Sequence, residues 1–175
     1  MPNRFLTGTC AAAIATLLMA TAPLPAQGGL GVVIQGDYAE NIAGSTAPGI
    51  GAGVRFPLGY WSQRSGMFGE ITADWFFPDN YLLNGVSDKQ TYFEMNFNGV
   101  IDLKPVKAIF VGTGINFSDQ VINTGNFASP VGGSELGINL IGGLTLGNHH
   151  GAPFVQARYE LGGGKQWVFS GGFHF

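Results

Sequence analysis

Few side chains in this chain are equipped for chemistry. Seven charged residues, Arg55, Arg158, Glu70, Asp74, Glu94, Glu135 and Glu160, stand at alternating positions among small polar neighbours. Two carboxylates held close together can divide acid and base roles, and a file of charges can carry ions. The plainer use is structural: guanidinium forks that bridge several carboxylates inside a closed space. Buried charge has to be paired, and arginine offers bidentate geometry for it. That plugged interior is the reading favoured for these seven residues. Acids outnumber bases among them, so a narrow hydrated path is expected to persist beside the plug.

Other candidates carry less. His149-His150 resembles a metal pair, but adjacent residues of an extended chain point in opposite directions, and no further Cys or His cluster accompanies them. A polar turn accounts for the pair, and His174 reads as a lone residue near one strand end. Gly49, Gly51, Gly53 and the run Gly162-Gly163-Gly164 are not followed by a helix, so no nucleotide-binding unit is present. No metal and no cofactor is expected.

The elements that would position these residues follow from composition. Of 175 residues 45% are hydrophobic, 13% aromatic and only 11% charged, with 29 glycines. A globular protein that faces water has about 25% charged residues, so the surface is not an ordinary aqueous one. The net charge of −3 provides no basic footprint for nucleic acid. Residues 1–26 have the pattern of a cleaved secretory signal peptide: Arg4, an apolar run from Cys10 to Ala22, and Leu24-Pro25-Ala26 before the cut. Residues 27–175 then form one domain without cysteine, in which no apolar run is long enough for a membrane helix.

Within that domain hydrophobicity alternates with period two in eight segments, at about 29–38, 49–58, 66–77, 91–103, 107–117, 134–146, 153–161 and 165–175. One face carries residues such as Ile34, Ile50, Trp75, Phe97, Leu140 and Phe169. The other carries Gly, Ser, Thr, Asn and Gln with few charges, an alternation that Phe110 interrupts in the fifth segment. A soluble sandwich would turn the apolar face inward and solvate a charge-rich one. Small polar residues instead suit the narrow lumen of an eight-stranded barrel, and segments of this length cross a bilayer when tilted. Closure is obligatory there, because lipid leaves no partner for an open sheet edge. The expectation is an all-β, closed, eight-stranded antiparallel up-and-down transmembrane β-barrel. Both termini then share the periplasmic side, and the long connections 39–48, 78–90 and 118–133 face outward. Aromatics near the strand ends, among them Tyr38, Trp75 and Trp167 outside and Tyr60, Trp61 and Phe68 inside, would form two girdles.

The last segment closes with Trp167, Phe169, Phe173 and Phe175 at alternate positions, broken by Gly171. It resembles the terminal strand of bacterial outer-membrane barrels, and the whole domain resembles the small OmpA/OmpX-type members. The resemblance implies residence in the outer membrane among lipid and lipopolysaccharide, and recognition of those four residues by the outer-membrane assembly machinery. Some such barrels are enzymes acting on lipid A, with a His–Ser pair facing lipid near the outer rim. The histidines here map to the periplasmic end, so catalysis is not expected. The reading is a non-enzymatic, monomeric envelope scaffold that displays its outer connections for adhesion or partner binding. A small ion or water pore is the alternative, with a lipid-A enzyme and a soluble periplasmic β-protein behind it.

Overall fold

The computed structural model describes residues 30–42, 45–58, 66–78, 81–83, 86–103, 108–123, 133–147, 151–162 and 165–175. The signal segment, His149 and His150, and the inner-girdle candidates Tyr60 and Trp61 lie outside them. Among the described residues nine strands occur in order: β1 (Gly31–Ile42), β2 (Ser45–Pro57), β3 (Met67–Phe76), β4 (Tyr81–Leu83), β5 (Val86–Asp102), β6 (Ile109–Asn123), β7 (Ser134–Thr145), β8 (Ala152–Leu161) and β9 (Gln166–His174).

Every pairing is antiparallel, and each main strand pairs with its neighbours in sequence. Two contacts make the ring. β3 bypasses β4 to pair with β5, from Met67↔Ile101 to Phe76↔Tyr92. The seam joins first strand to last, from Val33↔His174 to Glu40↔Trp167. Val32 and Phe175 extend it by exchanging main-chain hydrogen bonds of 3.0 and 2.8 Å. With the ring closed, no barrel edge is left unpaired. β4 pairs with β5 alone, through Tyr81↔Asp88 to Leu83↔Val86, and stands beyond the barrel, which therefore has eight strands.

The side chains are arranged inside out. Leu140, Val155 and Phe169 are 49%, 48% and 45% exposed, whereas Asp74, Glu94, Asn96 and Arg158 are fully buried. A sandwich core would reverse this order. A continuous apolar belt of this kind is far larger than the patches tolerated on a water-facing surface, and it is matched to acyl chains.

Glycine makes room inside. A Cβ at Gly51 would fall 2.1 Å from Asp74 Oδ1, and one at Gly114 would fall 2.3 Å from Asn98 Oδ1. The long polar side chains lie directly across these bare stretches of backbone. The lumen is also layered along its axis. Val33, Val100, Phe110, Ile141 and Phe154 fill the end near the chain termini. Ala39, Ile42, Ala47, Phe76 and Val168, with Tyr92 against them, fill the far end. Phe110 thus interrupts the alternation because it belongs to an apolar stopper. The hydrated path expected beside the charges meets apolar packing at both ends.

The far-end connections are shorter than the sequence suggests. Most of 39–48 is β-ladder, with Ala39↔Ala47 and Ile42↔Ser45 in register across a bulge. Asn41 adopts φ 70° there, and its Nδ2 donates to Lys165 O at 2.9 Å. The ladder of β5 and β6 runs on to Lys89↔Asn123, which takes in 89–90 and 118–123, and β4 pairs with 86–88. β8 and β9 stop at Glu160↔Gln166. The far rim is accordingly high at β5–β6 and low at β8–β9.

Candidate functional site: the charge network of the lumen

Arg158 lies in the middle of β8 and turns inward because it alternates with the lipid-facing Val155, Ala157 and Tyr159. Its Nη1 is 3.0 Å from Asp74 Oδ2, its Nη2 2.7 Å from Glu94 Oε2 and its Nε 2.6 Å from Glu160 Oε1. One guanidinium therefore holds three carboxylates, from β3, β5 and β8. Neutral amides fill the remaining acceptor positions. Asn96 donates to Asp74 Oδ2 at 2.8 Å, Asn116 to Glu160 Oε2 at 2.9 Å and Gln166 to Glu94 Oε1 at 2.5 Å. Gln166 also bonds Glu160 Oε2, and Gln35 reaches Asp37 and Asp74, each at 3.0 Å. Asn139 bridges Asn96 and Asn98 at 2.8 and 3.0 Å.

A second, smaller group lies toward the termini. Arg55 and Glu70 face each other across β2 and β3 and pair through Nε and Nη2, at 3.1 and 3.0 Å. The Arg55 guanidinium lies 5.8 Å from the Phe68 ring and 5.4 Å from the Phe110 ring. Its Nη1 is 3.5 Å from His174 Nδ1, and the His174 ring stacks on Phe154 with centroids 4.2 Å apart. Phe68, which the sequence suggested for the inner girdle, therefore serves the lumen. His174 is packed into the stopper.

Six of the seven singled-out charges meet in these two groups. Glu135 does not. Its position has lumen parity, but it stands at the far end of β7 opposite Ser118, exposed and without an ion pair among the described residues. Alternation specifies a face and not a height, and Glu135 lies above the layer where Arg158 sits. The amides were visible as polar-face residues, yet their spacing gives no sign that they complete the shell of Arg158. Trp167, Phe169, Phe173 and Phe175 all point outward along the final strand, about half exposed.

Asp74, Glu94 and Glu160 are held by Arg158 and Glu70 by Arg55, and the stoppers separate the network from both ends of the cylinder. Its geometry is that of a cross-brace. Among the described residues no three of His, Cys, Asp and Glu are placed to hold a metal ion.

A closed antiparallel ring of eight strands, apolar outside and polar inside, is the architecture of the small outer-membrane β-barrels. The chain is similar in fold to Neisserial surface protein A (NspA), with a TM-score of 0.61 at 8% identity over 83% of this chain and 94% of that one. It also aligns with Ail, the attachment invasion locus protein of Yersinia pestis, at 9% identity over 83% of this chain and 96% of Ail, with a TM-score of 0.44. Ail in complex with the heparin analogue sucrose octasulfate gives 0.46. No protein-family model and no curated protein sequence matches the chain.

Proposed function

We propose that the protein is a non-enzymatic resident of the outer membrane, exported by residues 1–26, whose work is done at the far rim of the barrel. The observation that carries this reading is the combination of a braced, stoppered lumen with strands that continue past the membrane belt. Beyond the Phe93↔Asp119 rung, β5 and β6 add four further residues each, about 13 Å of ribbon at some 3.3 Å per residue. Rigid scaffolds that hold out such segments are where recognition resides. The far rim faces the exterior in this reading, and the outward row Trp167, Phe169, Phe173 and Phe175 serves the assembly machinery.

The charge at that rim says something about the ligand. Glu40, Asp119 and Glu135 lie at the far strand ends, with Asp88 on the extension of β5, against Lys89 and Lys165. An acidic rim favours neutral or cationic partners over sulfated polysaccharides. The test is to replace residues 79–90 by a short turn joining β3 to β5, and residues 119–133 by a short turn joining β6 to β7. The barrel should still form, shown by its shifted mobility on unheated SDS gels, while surface binding by cells carrying it is lost. Unchanged binding would reject the display role.

A pore is the second reading, and the same stoppers weigh against it. Single channels in planar bilayers that respond to substitution of Arg158 would restore it.

A further inference from the structure

Asp37 breaks the pairing pattern of the lumen. Asp74, Glu94 and Glu160 share Arg158, and Glu70 has Arg55. Asp37 is 6% exposed, yet it forms no salt bridge with a described residue. Its Oδ1 accepts from Gln35 Nε2 at 3.0 Å, and its Oδ2 meets no hydrogen-bond partner of good geometry. In the compartment around Arg158, four buried carboxylates thus face a single guanidinium.

Two side-chain oxygens of neighbouring residues are in a similar condition. Ser170 stands opposite Asp37 across the seam, its hydroxyl beside the carboxylate. Among the described residues Gln35 Oε1 has no hydrogen-bond partner and Ser170 Oγ has none of good geometry, and both residues are more than nine-tenths buried. The Gln35 amide is fixed nitrogen-first by Asp37 and Asp74, which leaves Oε1 free. Asp37 Oδ2 and Asp74 Oδ1 lie against the same bare face of Gly51, 3.0 and 2.1 Å from where a Cβ would stand.

A charged carboxylate in a stoppered compartment is costly unless compensated, and unpartnered oxygens near it suit a hard cation. We infer that the lumen binds one small monovalent cation of sodium size at Asp37, with Asp37 Oδ2, Ser170 Oγ and Gln35 Oε1 as ligands. The charge is single because Asp74, the nearest second carboxylate, is committed to Arg158 and Asn96, and no three acidic, His or Cys side chains converge among the described residues. The inference concerns the barrel interior and stands whether or not the rim is a display surface.

The purified barrel, refolded in detergent, is unfolded by heat in sodium chloride and in choline chloride at equal ionic strength and pH. Choline is too large for the site, so a difference reports occupancy and not screening. The midpoint should be several degrees higher in sodium and should saturate with concentration. The shift should vanish in Asp37→Asn, shrink in Ser170→Ala and persist in Glu70→Gln. Equal midpoints in the two salts would overturn the inference, including the case where acid raises both alike and protons are the counter-charge. A sodium shift undiminished in Asp37→Asn would overturn it as well. If that variant does not fold, Ser170→Ala decides, since full retention there rejects the site. A larger saturating shift from magnesium would reject the monovalent assignment.

Discussion

Arg158 and Asp74 lie on strands that are four steps apart whichever way the ring is followed, and their side chains meet at 3.0 Å across the lumen. The barrel is therefore braced along a diameter, not only around its circumference. Removing the guanidinium leaves three buried carboxylates without compensation, so Arg158→Met should lower stability by about 3–5 kcal/mol. Combining it with Asp74→Asn and Glu94→Gln should recover much of that loss. Urea titration of the refolded barrel in detergent checks both statements, and additive losses would contradict the brace.

Glu135 supplies the contrast. Because it is exposed and has no ion pair among the described residues, Glu135→Gln should change stability by no more than about 0.5 kcal/mol. Glu94→Gln, by disturbing the shared guanidinium, should cost several times as much in the same titration.

The glycines separate the two faces of the sheet. Gly51→Val drives a methyl group into Asp74 and should cost about 1–3 kcal/mol through overpacking. At Gly36, on the lipid side, a Cβ would meet nothing within 4 Å. Gly36→Val should therefore be neutral or stabilising by up to about 1 kcal/mol, since a strand residue replaces a flexible one. Heat-modified gel mobility across a temperature series reads both, and the opposite order would invert the assignment of faces.

Asn41 carries both a left-handed backbone and a bond to the β8–β9 connection. Asn41→Gly should retain the turn and lose only the bond, whereas Asn41→Ala loses the bond and strains φ, at a cost of about 1–2 kcal/mol. An equal loss in the two variants would show that the bond matters and the left-handed backbone does not.

The rim charge yields a binding expectation. The folded barrel should pass through immobilised heparin unretained at about 0.15 M salt, where the screening length is near 8 Å. Retention that falls as salt rises would reverse the proposed preference for neutral or cationic partners.

Much of this architecture was legible because lipid imposes a strict rule on one face. Ile34, Trp75, Leu140 and Phe169 keep period two wherever the strand crosses the belt, and the eight segments follow from that. The rule lapses beyond the belt, where both faces meet water or loop. The continuation of β1 through Ile42, of β5 back to Val86 and of β6 to Asn123 left no mark in the hydrophobic pattern. Inside, periodicity assigned Arg158, Glu94 and Glu160 to one face, but heights around a tilted ring depend on register, which placed Glu135 out of reach. The stoppers were illegible for a related reason: an inward Phe110 or Ile141 looks the same in sequence as a slipped strand.

The uneven rim has a geometric consequence. With the β5–β6 ribbon standing tall and β8–β9 cut low, the molecule has a front and a back when viewed down the barrel axis from the far rim. Among the described residues, a surface that approached from that side would meet the β5–β6 ribbon before the low β8–β9 edge. Contact made there would pull off-axis, so attachment would tilt the cylinder before it extracted it.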